Sequence, residues 1–175
     1  PNYRRAFVPG GCWFFTVNLL DRRTRLLADH IEALRDAAGQ TRHRYPFIST
    51  RSSCCRTICM QYGRCHPVTR TFDSLAIDQV SVRALDPKHE QLSRVRQMRG
   101  ERGSWQRRFW EHLIRDDADY ARHIEYCYIN PIKHALVSRV RDWPHSSFHR
   151  DVGAGIFPED WAGEIEPAGK FGERN

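Results

Sequence analysis

The chain has 175 residues and a mass of 20.6 kDa, the size of one domain, and 40% hydrophobic residues are enough for a single core. With 28% charged residues and a mean hydropathy of −0.67 the chain is not expected to be disordered throughout, and no run approaches the roughly 18 apolar residues of a membrane span. Pro1-Asn2-Tyr3-Arg4-Arg5 lacks the apolar stretch of a signal peptide, so a cytoplasmic location is expected. The net charge is +7 with 25 Arg against 3 Lys, and a small basic domain rich in planar phosphate-pairing forks is a nucleic-acid candidate.

Cys12-Trp13-Phe14-Phe15-Thr16-Val17-Asn18-Leu19 follows Pro9-Gly10-Gly11 and reads as a buried strand. Leu27, Ile31, Leu34 and Ala38 recur at helical spacing, which predicts an amphipathic helix over about 28–43. From Ile48 to about Arg83 the texture changes. The stretch is polar, crowds Cys54, Cys55, Cys59 and Cys65 together, and reads as neither a helix nor a central strand. Asp86-Pro87 opens a helix expected to reach about Gln97. Trp105-Gln106-Arg107-Arg108-Phe109-Trp110-Glu111-His112 interleaves aromatic and basic groups. Asp116 or Asp117 caps a helix from about 118 to Asn130, where Pro131 is expected to stop it. A donor-rich loop, 142–150, follows, and 164–175 reads as a C-terminal tail behind a single domain over 1–163.

On a wheel at 100° per residue, Tyr120, Ile124, Cys127 and Tyr128 of the 118–130 helix share one side, the expected core face. Asp119, Arg122, His123, Tyr126 and Asn130 share the other. Tyr126 and Asn130, four apart, stack on one face. A tyrosine there is either a half-exposed cover for its neighbours or a nucleophile. As a nucleophile it would need a phosphodiester polarised by a divalent metal, with Asn130 as one hard oxygen ligand.

Tyr3-Arg4-Arg5 with the 10–19 strand, Trp105 to His112, Tyr126-Cys127-Tyr128-Ile129-Asn130-Pro131-Ile132-Lys133-His134, Asp142-Trp143-Pro144 and Asp160-Trp161 together resemble the REP-associated tyrosine transposases, relatives of the IS200/IS605 single-tyrosine enzymes. The likeness covers about 1–47 and 84–163. It implies an α+β fold: a ferredoxin-like antiparallel sheet with helices on one face. It also implies metal-dependent cleavage and rejoining of single-stranded hairpin DNA at repeated extragenic palindromes. Tyr126 matches the nucleophile that becomes 5′-phosphotyrosyl-linked, and Asn130 the helix residue that helps hold Mg²⁺ or Mn²⁺. Arg4, Arg5, Arg107 and Arg108 are candidate phosphate or base-edge contacts. Trp105, Trp110 and Trp143 could stack on unpaired bases or belong to the core. For His112 and His149 a solvated surface position is expected.

The family also carries a His-hydrophobe-His motif on a central strand, and this chain has no His-x-His. Its place falls in the anomalous stretch. If 48–71 is back-translated with permitted codons and one base is restored before Ile48, the run reads His-Ile-Asp-Ala-Val-Val-Val-Leu-Pro-Asp-His-Leu-His-Ala-Val-Trp-Thr-Leu-Pro-Pro-Gly-Asp-Pro-Asp. A frameshift that disrupts 48–83 and leaves the chain inactive is therefore expected. The rival reading is a zinc-stabilised, non-catalytic nucleic-acid-binding module built on Cys55, Cys59, Cys65 and His66, although their spacing matches no strong zinc pattern.

Overall fold

The computed structural model describes residues 8, 10–21, 23–44, 47–55, 58–65, 94, 98, 106 and 109–163, with the side chains of 41–50 and 56–65 left aside. Cys12–Asn18 forms β1, followed by the short helix α1 (Leu26–Asp29) and α2 (Ile31–Arg44). Phe47–Cys54 (β2) and Ile58–Cys65 (β3) come next, then Trp110–Leu113 (β4). Asp117–Lys133 is α3, a 3-10 turn spans Val140–Asp142, and Phe148–Gly153 is α4. The four strands make one antiparallel sheet in the order β2-β3-β1-β4. This is the ferredoxin-like order expected.

β1 explains the layering. Its residues alternate between the two faces of the sheet. Trp13, Phe15 and Val17 pack with Leu27 and Leu34 from α1 and α2. Phe14 points the other way and packs with Ile124, Tyr126 and Tyr128 from α3. Helices therefore cover both faces, not one: β1 is apolar on both sides, and each side needs its own cover. Each of these large side chains, when fully buried, contributes roughly 1.5–3 kcal/mol of transfer free energy. Beyond α3, Tyr128, Phe148, Phe157 and Trp161 form an aromatic group with ring centroids 5.2–6.5 Å apart. α3 is thus enclosed between the sheet and the C-terminal segment.

The 48–83 stretch is not disrupted as a whole. β2 and β3 are regular strands, and β3 lies between β2 and β1. Two features offset its polarity. Ile58, Met60 and Tyr62 alternate at period 2, a signal present in the sequence but overridden by the polar residues around it. β2 is also paired on its outer side. Ser147 N–H donates to the Ser52 carbonyl at 2.8 Å, Ser52 N–H to Ser147 Oγ at 3.0 Å, and Cys54 N–H to the His145 carbonyl at 3.0 Å. Positions 66–83, most of the 86–97 helix, and the 164–175 tail lie outside the described residues.

Strand geometry also removes the zinc reading. Cys59 and Cys65 stand near opposite ends of β3, six residues and about 20 Å apart along the strand. A tetrahedral ion holds its sulfurs at about 2.3 Å and cannot join both. His66 lies outside the described residues.

Candidate active site

α3 begins where expected, with the Asp116 side chain accepting the Asp119 N–H at 2.7 Å. It does not stop at Pro131. The proline forfeits one backbone donor, yet the last turn closes around it, with His134 N–H on the Asn130 carbonyl at 3.1 Å and Leu136 N–H on the Pro131 carbonyl at 2.9 Å. This extra turn carries Lys133.

The wheel places Tyr126 and Asn130 together correctly but assigns their face wrongly. Tyr126 is 1% exposed and Asn130 0%, and Asp119 and His123 are buried as well, whereas Tyr120 on the expected core face is only half-buried. The polar face of α3 lies against the sheet, so it is interior although not apolar. Asn130 Oδ1 accepts the Cys55 thiol at 2.9 Å. Lys133 Nζ donates to Tyr126 Oη at 3.2 Å and lies 5.0 Å from its ring centroid. Sequence reading missed Lys133. Its signal was a spacing of seven residues from Tyr126, two helical turns and hence the same face.

The sheet opposite carries the other half of the site. Phe14 faces α3, so by alternation Thr16 and Asn18 do too, both buried. Across the ladder Thr16 pairs with Met60 and Asn18 with Ile58, which puts positions 58 and 60 on this same face of β3. Asn18 Oδ1 is buried and finds no hydrogen-bond partner among the described residues.

These residues do not fit a divalent cation. Asn130 has one carboxamide oxygen, already engaged by Cys55, and positions 58 and 60 carry Ile and Met, which offer no hard donor.

A second polar cluster lies nearby. His112, Asp119 and His123 bring ligand-type atoms within 4.8 Å of one another. The cluster is better described as a hydrogen-bonded anchor for α3. Asp119 accepts from Arg115 N–H and Nε at 3.1 Å, from Arg122 at 3.2 Å and from His112 Nε2 at 2.8 Å. Burial alone would raise the Asp119 pKa, but these donors outweigh it and hold the carboxyl far below its ordinary value. Two guanidiniums on one carboxylate oppose a further cation. His123 Nδ1 lies 2.8 Å from the Asp119 carbonyl, so that nitrogen carries the proton. Burial first, and the His112 charge next among the opposing groups, lower the His123 pKa. His112 is thus not a solvated surface histidine. His149 is exposed, as expected, with its Nε2 2.8 Å from the Trp143 carbonyl.

Trp143 is buried with Nε1 donating to the Cys54 carbonyl at 3.0 Å and so serves packing, and Trp110, half-buried, stacks near His112 and His123. Gln106 ties its segment to the end of β1 through N–H to the Asn18 carbonyl at 2.9 Å. Arg4, Arg5, Trp105, Arg107 and Arg108 lie outside the described residues.

No protein-family model matches the chain. A protein of Haemophilus influenzae that carries the name REP-associated tyrosine transposase is 45% identical over 170 residues, covering 93% of each chain. The REP-associated tyrosine transposase of Escherichia coli K12 is 39% identical over 163 residues, covering 93% of this chain and 92% of that one. A solved REP-associated tyrosine transposase bound to a REP hairpin superposes with a TM-score of 0.84 at 35% identity, over 100% of this chain and 98% of the other. With the antiparallel sheet and the Tyr126–Asn130 helix in place, these likenesses show that the chain belongs to the REP-associated tyrosine transposases.

Proposed function

We propose that this chain binds single-stranded hairpin DNA of repeated extragenic palindromes and that its Tyr126 chemistry is silenced by the residues now on β3. The observation that carries the second part is the register of β3. In the restored reading frame the histidine pair falls eleventh and thirteenth in a run that starts at position 48. Those are positions 58 and 60, the start of β3, on the sheet face that meets Tyr126 and Asn130. Asn18, opposite 58, holds a buried oxygen that a histidine N–H there could satisfy. The loss of one base before codon 48 accounts for both the missing pair and the cysteine-rich text.

Hairpin binding is supported by the hairpin-bound relative and by the charge of +7. Cleavage through a 5′-phosphotyrosine would belong to a chain with the pair restored. There Tyr126 Oη would attack phosphorus, and Arg4, Arg5, Arg107 and Arg108 would be phosphate or base-edge contacts.

Fluorescence anisotropy with a labelled palindromic hairpin and a matched duplex tests the first part. The hairpin is expected to bind more tightly, with log affinity falling linearly in log salt. Equal affinity for both at moderate salt would sink it. A nicking assay on a palindrome-tailed oligonucleotide tests the second. Metal-dependent nicking by the chain as it stands, lost on Tyr126→Phe, would refute the silencing.

A further inference from the structure

Tyr126 and Lys133 share one face of α3 because seven residues span two turns. Helical side chains lean towards the N-terminus of their helix. Lys133, in the last turn, therefore reaches back over Tyr126, with Nζ 3.2 Å from the phenol oxygen and 5.0 Å from the ring centroid. Lys133 is exposed while Tyr126 is buried. An exposed cation thus touches the buried oxygen that would react.

We propose that Lys133 is a catalytic residue of the Tyr126 reaction, its ammonium fixing the phenol oxygen and stabilising the negative charge that develops on it. This rests on the transposase reading above. In the strand-cleavage step the Oη–P bond forms, the P–O3′ bond breaks, and the 3′ oxygen takes up the proton that the phenol gives up. Lys133 stays protonated throughout. In rejoining the O3′–P bond reforms, and the same ammonium meets the departing phenolate oxygen. The need is plain: a phenol with a pKa near 10 is overwhelmingly neutral near pH 7. An adjacent cation favours the charged form, and each pKa unit is about a tenfold gain in phenolate.

A cation in the last turn also complements the helix dipole. That structural role would leave the Tyr126 titration unmoved, so titration separates the two. The full chain is labelled at tyrosine Cζ with carbon-13, titrated by NMR, and Tyr126 is assigned with Tyr126→Phe. Lys133→Met is expected to raise the Tyr126 midpoint by about one pH unit or more, and Lys133→Arg to keep it near the parent value. An unmoved Tyr128 signal reports an intact fold. An unchanged Tyr126 midpoint in folded Lys133→Met overturns the proposal, as does a parent Tyr126 that stays protonated at about pH 12. If Lys133→Met does not fold, Lys133→Gln decides in the same way.

A second arm uses the chain with Ile58→His and Met60→His in single-turnover nicking. There Lys133→Met is expected to slow cleavage about tenfold or more, with oligonucleotide affinity little changed, and Lys133→Arg to recover most of it. An unslowed Lys133→Met overturns the catalytic role. No nicking in that background, with the titration shift intact, overturns the transposase reading and not the coupling of the two residues.

Discussion

α3 and the β2–β3 pair form opposite walls of the candidate site and are held in different ways. α3 carries its own reasons for burial: Ile124, Tyr126, Cys127, Tyr128 and Ile129 fill the core, and Asp119 gathers Arg115, Arg122 and His112 to fix its first turns. β2 and β3 contribute a backbone ladder, and β2 takes its side-chain partners from elsewhere. Arg51 of β2 pairs with buried Asp151 of α4, and Asp151 also accepts the Tyr128 hydroxyl at 2.6 Å. Burial would raise the Asp151 pKa, but Tyr128 and Arg51 outweigh it and hold it below the ordinary carboxylate range. A strand needs paired amides and tolerable side chains, and many sequences supply them. A divalent cation needs particular donors at particular places. A strand can therefore keep its place in a sheet while carrying none of the donors a metal site needs.

The sharpest way to break this comparison is to return the donors. Ile58→His with Met60→His is expected to take nicking of a palindrome-tailed oligonucleotide from undetectable to measurable with Mg²⁺ or Mn²⁺. Adding Tyr126→Phe should abolish it. No activity, in a folded double variant that still binds hairpin DNA, would overturn the reading that Tyr126 cuts DNA once the histidine pair is back.

The next effect concerns stability and contrasts the two walls. Phe14→Ala, at the contact of β1 with α3, is expected to cost about 3–5 kcal/mol because it removes a fully buried ring. Arg51→Ala is expected to cost less, about 1–3 kcal/mol, because Asp151 keeps Tyr128 and Arg150 as donors. Urea denaturation of both variants checks the order. A larger loss for Arg51→Ala would mean that the borrowed contacts of β2 hold the fold more than the α3 core does.

Acid should weaken the α3 wall in two stages. His123 has a lowered folded pKa, so below its unfolded value near 6.5 the unfolded chain binds the proton first, and stability falls as pH drops. Asp119 and Asp151 also have lowered folded pKa values. Their contribution is present above the unfolded value near 4 and is lost as pH falls towards their folded values. Urea midpoints between pH 8 and 3 should therefore decline from about pH 6.5 and more steeply below about 4. His123→Gln should flatten the first decline. A profile flat from pH 7 to 5 would contradict the buried, neutral His123.

β1 and the N-terminus of α3 were legible because their signals are local: an aromatic, β-branched run after Pro-Gly-Gly, and an aspartate cap before a periodic segment. Tyr126 and Asn130 were legible as a pair from a spacing of four, though their burial was not. A wheel ranks faces by polarity and cannot know that a polar face meets a sheet. β2 and β3 were hidden because what sustains them, the 143–151 segment and β1, is distant in sequence. Lys133 was hidden by Pro131, taken as the end of a helix that runs two residues further.

That extra turn ends in a feature with a small, clear cost. Leu136 N–H donates to the Pro131 carbonyl at 2.9 Å and Ala135 N–H to the Ile132 carbonyl at 2.8 Å, the paired bonds of a left-handed helix cap. The residue at its turning point is Ala135, with φ at 53°. An L-residue with a Cβ pays roughly 1–2 kcal/mol there, and glycine pays none, although glycine loses about 0.5–1 kcal/mol more through its freer unfolded chain. Ala135→Gly is therefore expected to stabilise the protein by up to about 1 kcal/mol. That should raise Tm by about 2–4 °C at this chain length. Ala135→Val, β-branched at the same φ, should lower it by more. Thermal melts of the two variants suffice. A lower Tm for Ala135→Gly would mean that the Ala135 methyl makes a packing contact worth more than the strain, and that the turn carrying Lys133 is held from outside the helix.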